Sequence, residues 1–204
     1  MNYFNLDLPQ RLALVVVSGL LAYPAMVVDE SLNSLFKPPL IDWWVILPGA
    51  AFGLLVLAPF LSGRDRRGLR IAGLMIAGIA GYELAINVPD WLPFGDLGES
   101  TNFAIAGLTG ALLAALAVRW IASLTPRGAF WPMVVAAGIV GGFAFEPLFN
   151  LCMVADCDSV WLVLAHSSAW IIWQGLVFLA LHYGRRPASV PAESASGVST
   201  ASDA

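Results

Sequence analysis

Six long apolar stretches, approximately residues 11–29, 43–62, 69–88, 102–123, 129–150 and 160–183, take up nearly the whole chain. Each is close to the ~20 residues with which an α-helix crosses ~30 Å of hydrocarbon. The expected fold is therefore all-α, a polytopic integral membrane protein with six transmembrane helices. Composition agrees: 12% of residues are charged, against ~25% in a soluble domain, and 59% are hydrophobic. Residues 1–186 are expected to form a single transmembrane domain. The tail 187–204 is rich in Ala, Ser and Pro, cannot bury a core, and is expected to be disordered.

The charges sort by side. Of ten basic residues, Arg11, Arg64, Arg66, Arg67, Arg70, Arg119, Arg127, Arg185 and Arg186 fall on one side of the predicted spans and Lys37 alone on the other. The positive-inside rule then places both termini in the cytoplasm of a bacterial-type inner membrane. Asp29, Glu30, Asp42, Glu83, Asp90, Asp96, Glu99, Glu146, Asp156 and Asp158 gather at the opposite, outer face. That bias is partly passive, since acids contribute little to orientation, and it is also what a cation-concentrating mouth would look like. Reading the first span as a cleaved signal peptide would put the arginine-rich ends on opposite sides, so it is read as retained.

Cys152 and Cys157, the two cysteines, lie in the loop between spans five and six. An outer, oxidising location favours a disulfide between them. Two thiols are too few for a structural zinc site, and no metal is expected.

Weak self-similarity runs along the chain at an offset of sixty. Arg67–Gly68 recurs as Arg127–Gly128, and Gly78–Ile79–Ala80–Gly81 as Gly138–Ile139–Val140–Gly141. Spans three and five end in Glu83/Asn87 and Glu146/Asn150, each pair four residues apart. The spans thus read as three sequential hairpins, 11–62, 67–123 and 127–183. Small residues at close-approach spacing, such as Gly49/Gly53, Gly107/Gly110 and Gly138/Gly142, suit tight helix contacts.

Apart from residues at the basic ends of the spans and Asp29 at an outer end, the acids and histidines within them are Glu83, Glu146 and His166, and an ion at depth costs ~2.5–3.5 kcal/mol on insertion scales. Glu146 and His166 fall at matching depth on spans joined by a short loop, so a hydrogen bond between them is expected. His166, Trp170 and Gln174 follow one another at i, i+4 and i+8, a stripe that belongs inside the bundle. Asn87, Asn150 and Gln174 would complete a ligand-binding layer of Glu83, Glu146 and His166, with carboxylates and amides suited to a cation or a proton. The same residues also read as helix caps and an interhelical pin with no ligand at all.

Three functions fit these features. The first is a small transporter or channel for a cation, proton or small solute, with an outward-facing polar site. The second is a non-catalytic membrane subunit or assembly protein that docks a partner through its glycine-rich helix faces. The third is an intramembrane enzyme using Glu146 and His166 as an acid/base pair. The chain lacks GxSxG, HExxH and P-loop signatures. A haem would need a partner histidine that is missing, so no cofactor and no catalytic residue is expected. Partners are membrane lipids, with a homo-oligomer or another membrane protein as further candidates. Nucleic acid is not expected, since Arg64, Arg66, Arg67 and Arg70 are explained by topology and anionic inner-leaflet lipid.

Overall fold

The computed structural model describes residues 6–36, 45–61, 65–92, 98–148, 150 and 159–185, with 23–36, 159 and 162 described as backbone only. The chain forms α1 (Leu8–Phe36), α2 (Ile46–Phe52), α3 (Arg67–Trp91), α4 (Glu99–Ile121), α5 (Phe130–Phe143) and α6 (Ser159–Gly184). No strand occurs among the described residues apart from one isolated bridge between Pro126 and Arg185. The cysteine loop and the tail, with the expected disulfide and disorder, lie outside the described residues.

Four helices are long and apolar enough to cross a membrane: Arg67–Trp91, Glu99–Ile121, Phe130–Leu148 and Val163–Gly184. The other two apolar stretches, Leu8–Ala22 and Ile46–Phe60, are shorter. The second is shortened from within. Its α-turns give way to a π-helical segment, Gly53–Leu57, and then to a 3-10 turn, Ala58–Phe60. The Ala58 N–H donates to Gly53 O, five residues back, and Pro59 has no N–H to offer next. The helical run ends one residue later, at Phe60.

Local chemistry also fixes the start of α1 and the end of α4. Asp7 and Gln10 form a reciprocal capping box before α1: Gln10 N–H donates to Asp7 Oδ1 (2.9 Å) and Asp7 N–H to Gln10 Oε1 (3.2 Å). At the end of α4, Ser123 takes a left-handed conformation (φ 58°) and turns the chain out of the helix. The freed carbonyl of Ile121 accepts from Arg70 Nε (2.6 Å), whose Nη2 also reaches Ser123 Oγ (3.2 Å). A cation at a helix C-terminus complements the dipole there.

Each helix packs against its neighbours in the chain, and α6 closes back on α1, so the six elements form a ring of three consecutive hairpins. Glycine makes the joints between hairpins. Gly19 of α1 abuts Ile171 of α6, where an added Cβ would sit 2.8 Å from the Ile171 backbone nitrogen. Gly78 of α3 presses on Gly49 of α2 and on Gly53 at the start of the π-helical segment, and Gly138 of α5 lies against Gly107 and Leu108 of α4. In each case the first helix of one hairpin meets the last helix of the hairpin before it. These three glycines recur at spacings of 59 and 60 residues (19, 78, 138). The sixty-residue periodicity is therefore built into the ring as three equivalent joints, and close backbone contact is what holds helices together in lipid.

The core is aromatic at its centre. Phe52, Tyr82, Trp173 and Phe178 are at most 3% exposed, and Tyr82 stacks on Trp170 with ring centroids 4.8 Å apart. The ends of the bundle differ in charge. Arg11, Arg70, Arg119, Arg127 and Arg185 mark a basic end, where the start of α3 is tied to the end of α4 and Arg127 N–H donates to Gly184 O (2.7 Å). Asp90 and Glu99, at the facing ends of α3 and α4, mark an acidic end. Trp120 is exposed at the first, Trp91 and Trp161 at the second, as expected of residues at two membrane interfaces.

Candidate functional site

Helix α6 supplies the wall from which the site is built. Its residues Ser167 and Gln174 are fully buried, Trp173 is nearly so, and Trp170 and His166 are half-buried. The stripe read from the sequence does face the bundle interior. Trp173 is locked there on three sides. Its indole Nε1 donates to Gly107 O of α4 (3.1 Å), and its ring lies against Gly110 of α4 and Gly141 of α5. A Cβ added at Gly110 would sit 2.7 Å from Trp173 Cζ2, and one at Gly141 2.8 Å from Cδ1. These two glycines therefore leave the slot that the indole fills.

Above this indole opens a cavity of about 550 Å³ between α3, α4, the end of α5 and α6. Tyr82, Phe103, Phe145, Trp170 and Trp173 wall its depth, with Gly107 among them. Phe145 meets Trp170 edge to face at 4.8 Å and stacks on Phe103 at 5.9 Å, so the aromatic rings form one continuous lining. Exposure grades along the cavity. Tyr82, Phe145 and Trp173 are buried; His166 and Asn102 are half-buried; Asp90, Glu99 and Asn150 are exposed and mark the mouth. Among the described lining residues none is Lys or Arg, and two are carboxylates. The volume falls within the ~300–1,000 Å³ of small-molecule sites.

The predicted site residues divide into two groups. His166 and Asn150 line this cavity. Glu83, Asn87, Glu146 and Gln174 stand outside its lining and are engaged within the bundle. Asn87 Nδ2 donates to Glu83 O (2.8 Å) and to Glu83 Oε1 (3.3 Å), so these two form a local pair on α3. Glu146 accepts from Ser100 Oγ of α4, where the sequence suggested His166. Gln174 lies beneath the cavity floor, its Nε2 donating to Tyr82 OH (2.9 Å) and its Oε1 left without a partner among the described residues. The Trp170 indole nitrogen and Ser167 Oγ on the same stripe are likewise buried with no hydrogen-bond partner among the described residues. No cluster of three metal-ligating side chains occurs among the described residues.

Sequence reading missed Tyr82, Phe103, Phe145 and Ser100, and placed Asp90 and Glu99 only among the ten acids of a possible cation-concentrating mouth. A signal for Tyr82 was present: Leu74, Gly78 and Tyr82 follow one another at i, i+4 and i+8 on α3, and all three are buried on one face. Asp90 and Glu99 carried a weaker one, as the acids nearest the ends of two spans joined by one loop. Compared with protein-family models, curated proteins and solved structures, the chain matches none of them, so the chemistry of the site rests on its geometry.

Proposed function

We propose that this protein is a six-span inner-membrane protein, with both termini cytoplasmic, that takes a small solute with an apolar body and a positive charge into its outward-facing cavity, as the loading step of transport. The aromatic cavity with a carboxylate mouth is the observation that carries this reading. Aromatic faces attract a cation by ~0.5–2 kcal/mol each, depending on how dry the site is. Asp90 and Glu99 add the complementary field, and no described lining residue opposes it with Lys or Arg. The segregation of basic residues to the opposite end directs the mouth outward. The shorter stretches Leu8–Ala22 and Ile46–Phe60 serve as the remaining two spans, since they close the same ring as the four long ones.

Transport also needs a route past the floor. The Tyr82–Gln174 bond closes it in this conformation, and Gln174 is fully buried. At the floor itself Gln174 Oε1 is buried without a partner among the described residues, at a cost of ~1–3 kcal/mol. A conformation that opens the floor recovers part of that cost, which supports a gate at this level. The glycine faces that could have docked a partner protein are occupied by neighbouring helices at Gly49, Gly53, Gly107 and Gly138.

Tryptophan fluorescence of the purified protein tests the reading, because Trp170 and Trp173 line the cavity. Phenyltrimethylammonium is expected to change the emission saturably, and benzenesulfonate of similar size is not. Asp90→Asn combined with Glu99→Gln is expected to weaken the cation about tenfold or more, as loss of ~1.4 kcal/mol would do. Uptake of the same cation into proteoliposomes then separates transport from binding alone. No saturable response, or an equal response to cation and anion, sinks the proposal.

A further inference from the structure

The basic end holds a second arrangement that the cavity does not use. Two arginines meet on one ring: Arg11 Cζ lies 5.8 Å and Arg185 Cζ 5.7 Å from the centroid of Phe60. Sharing one ring, the two like charges lie close enough to repel each other. The ring is itself supported from within the bundle. Phe60 packs on Phe178 at 5.6 Å, and Phe178 stacks on His182 at 5.7 Å.

These groups are held in place, not merely adjacent. Arg11 is 8% exposed, with Nε donating to Leu6 O (2.9 Å) and Nη1 buried without any acceptor among the described residues. His182 Nδ1 is buried and unpartnered among them as well. Arg185 is pinned through its backbone by the bridge to Pro126, beside the Arg127–Gly184 hydrogen bond. Among the described residues no carboxylate pairs with either guanidinium. Asp7, the acid nearest Arg11 in sequence, accepts from the Gln10 backbone as a helix cap. Two like charges fixed around one ring, one of them buried with a free donor, form an incomplete electrostatic set that an anion completes.

We infer that Arg11 and Arg185, which share the Phe60 ring, with His182 stacked on Phe178 behind it, form a binding site for a phosphate-bearing group at the basic end of the bundle. Arginine's planar fork suits phosphate oxygens, which accept two N–H bonds at once. A site at the helix ends of a membrane protein lies at headgroup depth, where anionic phospholipid supplies that chemistry locally and free phosphate supplies it from solution. The inference rests on the membrane reading of the helices and is independent of the cavity at the other end.

The test is thermal unfolding of the full chain, delipidated in neutral detergent, with phosphatidylglycerol, phosphatidylcholine or inorganic phosphate added separately. Phosphatidylglycerol is expected to raise the midpoint, on the order of 5 °C near saturation. Phosphatidylcholine is expected to leave it unchanged. Arg185→Gln should abolish the rise, while Arg119→Gln, an exposed arginine of the same end, should keep it. An equal rise with inorganic phosphate, also lost in Arg185→Gln, supports the site and assigns it to a soluble anion. If Arg185→Gln proves too unstable to compare, Arg185→Lys keeps the charge without the fork and should lose most of the rise. No rise with either phosphate source overturns the inference. So does equal loss in Arg119→Gln and Arg185→Gln, which would mean diffuse surface charge.

Discussion

Gln174 is a polar amide buried completely in an apolar helix, and its single bond to Tyr82 leaves its carbonyl oxygen unmatched among the described residues. Such a pair is costly to break from one side only. Tyr82→Phe removes the acceptor and leaves the Gln174 amide with neither end satisfied, an expected loss of ~1–3 kcal/mol. Gln174→Met leaves the Tyr82 hydroxyl alone but also deletes the orphan carbonyl, so its loss should be smaller. The double variant removes both polar groups and should be more stable than the sum of the single losses, by ~0.5–1.7 kcal/mol in a membrane setting. Unfolding in detergent measures the cycle; strict additivity would mean the bond holds nothing. Part of this layer was legible in the sequence, because His166, Trp170 and Gln174 share a helical face that cannot meet lipid. Their partners were not legible. Glu146 found Ser100, and Gln174 found Tyr82, through rotations of helices that are apolar on almost every side and so carry no periodicity to orient them.

At the scale of the helices, length and hydropathy located four helices long enough to cross a membrane and two shorter apolar ones, and in the second stretch the departure from regular helix has a local cause. Residues 43–62 read as a full span, yet the Gly53–Pro59 segment unwinds through π and 3-10 turns. Hydropathy averages over a window and does not register a missing N–H. Glycine, by contrast, was legible as a packing residue without its partner being named, and the structure separates glycines that are needed from those that are not. A Cβ at Gly53 would collide with the Leu74 carbonyl and lie 2.6 Å from Met75 Cα, both backbone that cannot rotate aside. A Cβ at Gly73 would meet only the Ile121 side chain, at an ordinary 3.5 Å. Gly53→Ala should therefore destabilise by ~1–3 kcal/mol, by prying α2 from α3. Gly73→Ala should be neutral or stabilise by up to ~1 kcal/mol, from helix propensity alone. Thermal unfolding of the two variants side by side decides the matter. Equal effects would show that α2 and α3 meet more loosely than these backbone contacts require.

The whole molecule is a ring with a repeated joint, and its polarity follows from where the joints leave the charges. Because Gly19, Gly78 and Gly138 set the three hairpins parallel around the ring, every hairpin starts and ends at the basic end. Among the described residues Arg11, Arg70, Arg119, Arg127 and Arg185 are consequently held at one end by architecture. Inverting the protein would require translocating that whole set, which insertion opposes. Thr125, exposed in the α4–α5 loop, and Glu99, exposed at the mouth of the cavity, then face opposite sides of the membrane. With Cys152 and Cys157 replaced by serine, Glu99→Cys should react with a membrane-impermeant maleimide in intact cells. Thr125→Cys should react only after the membrane is opened. Reaction of Thr125→Cys alone would invert the protein, and the cavity would then load from the cytoplasm, leaving the site in place but reversing the direction of its use. Reaction of both in intact cells would mean that α4, which runs between the two sites, does not separate them across a bilayer, and the transmembrane reading of the ring would fall with it.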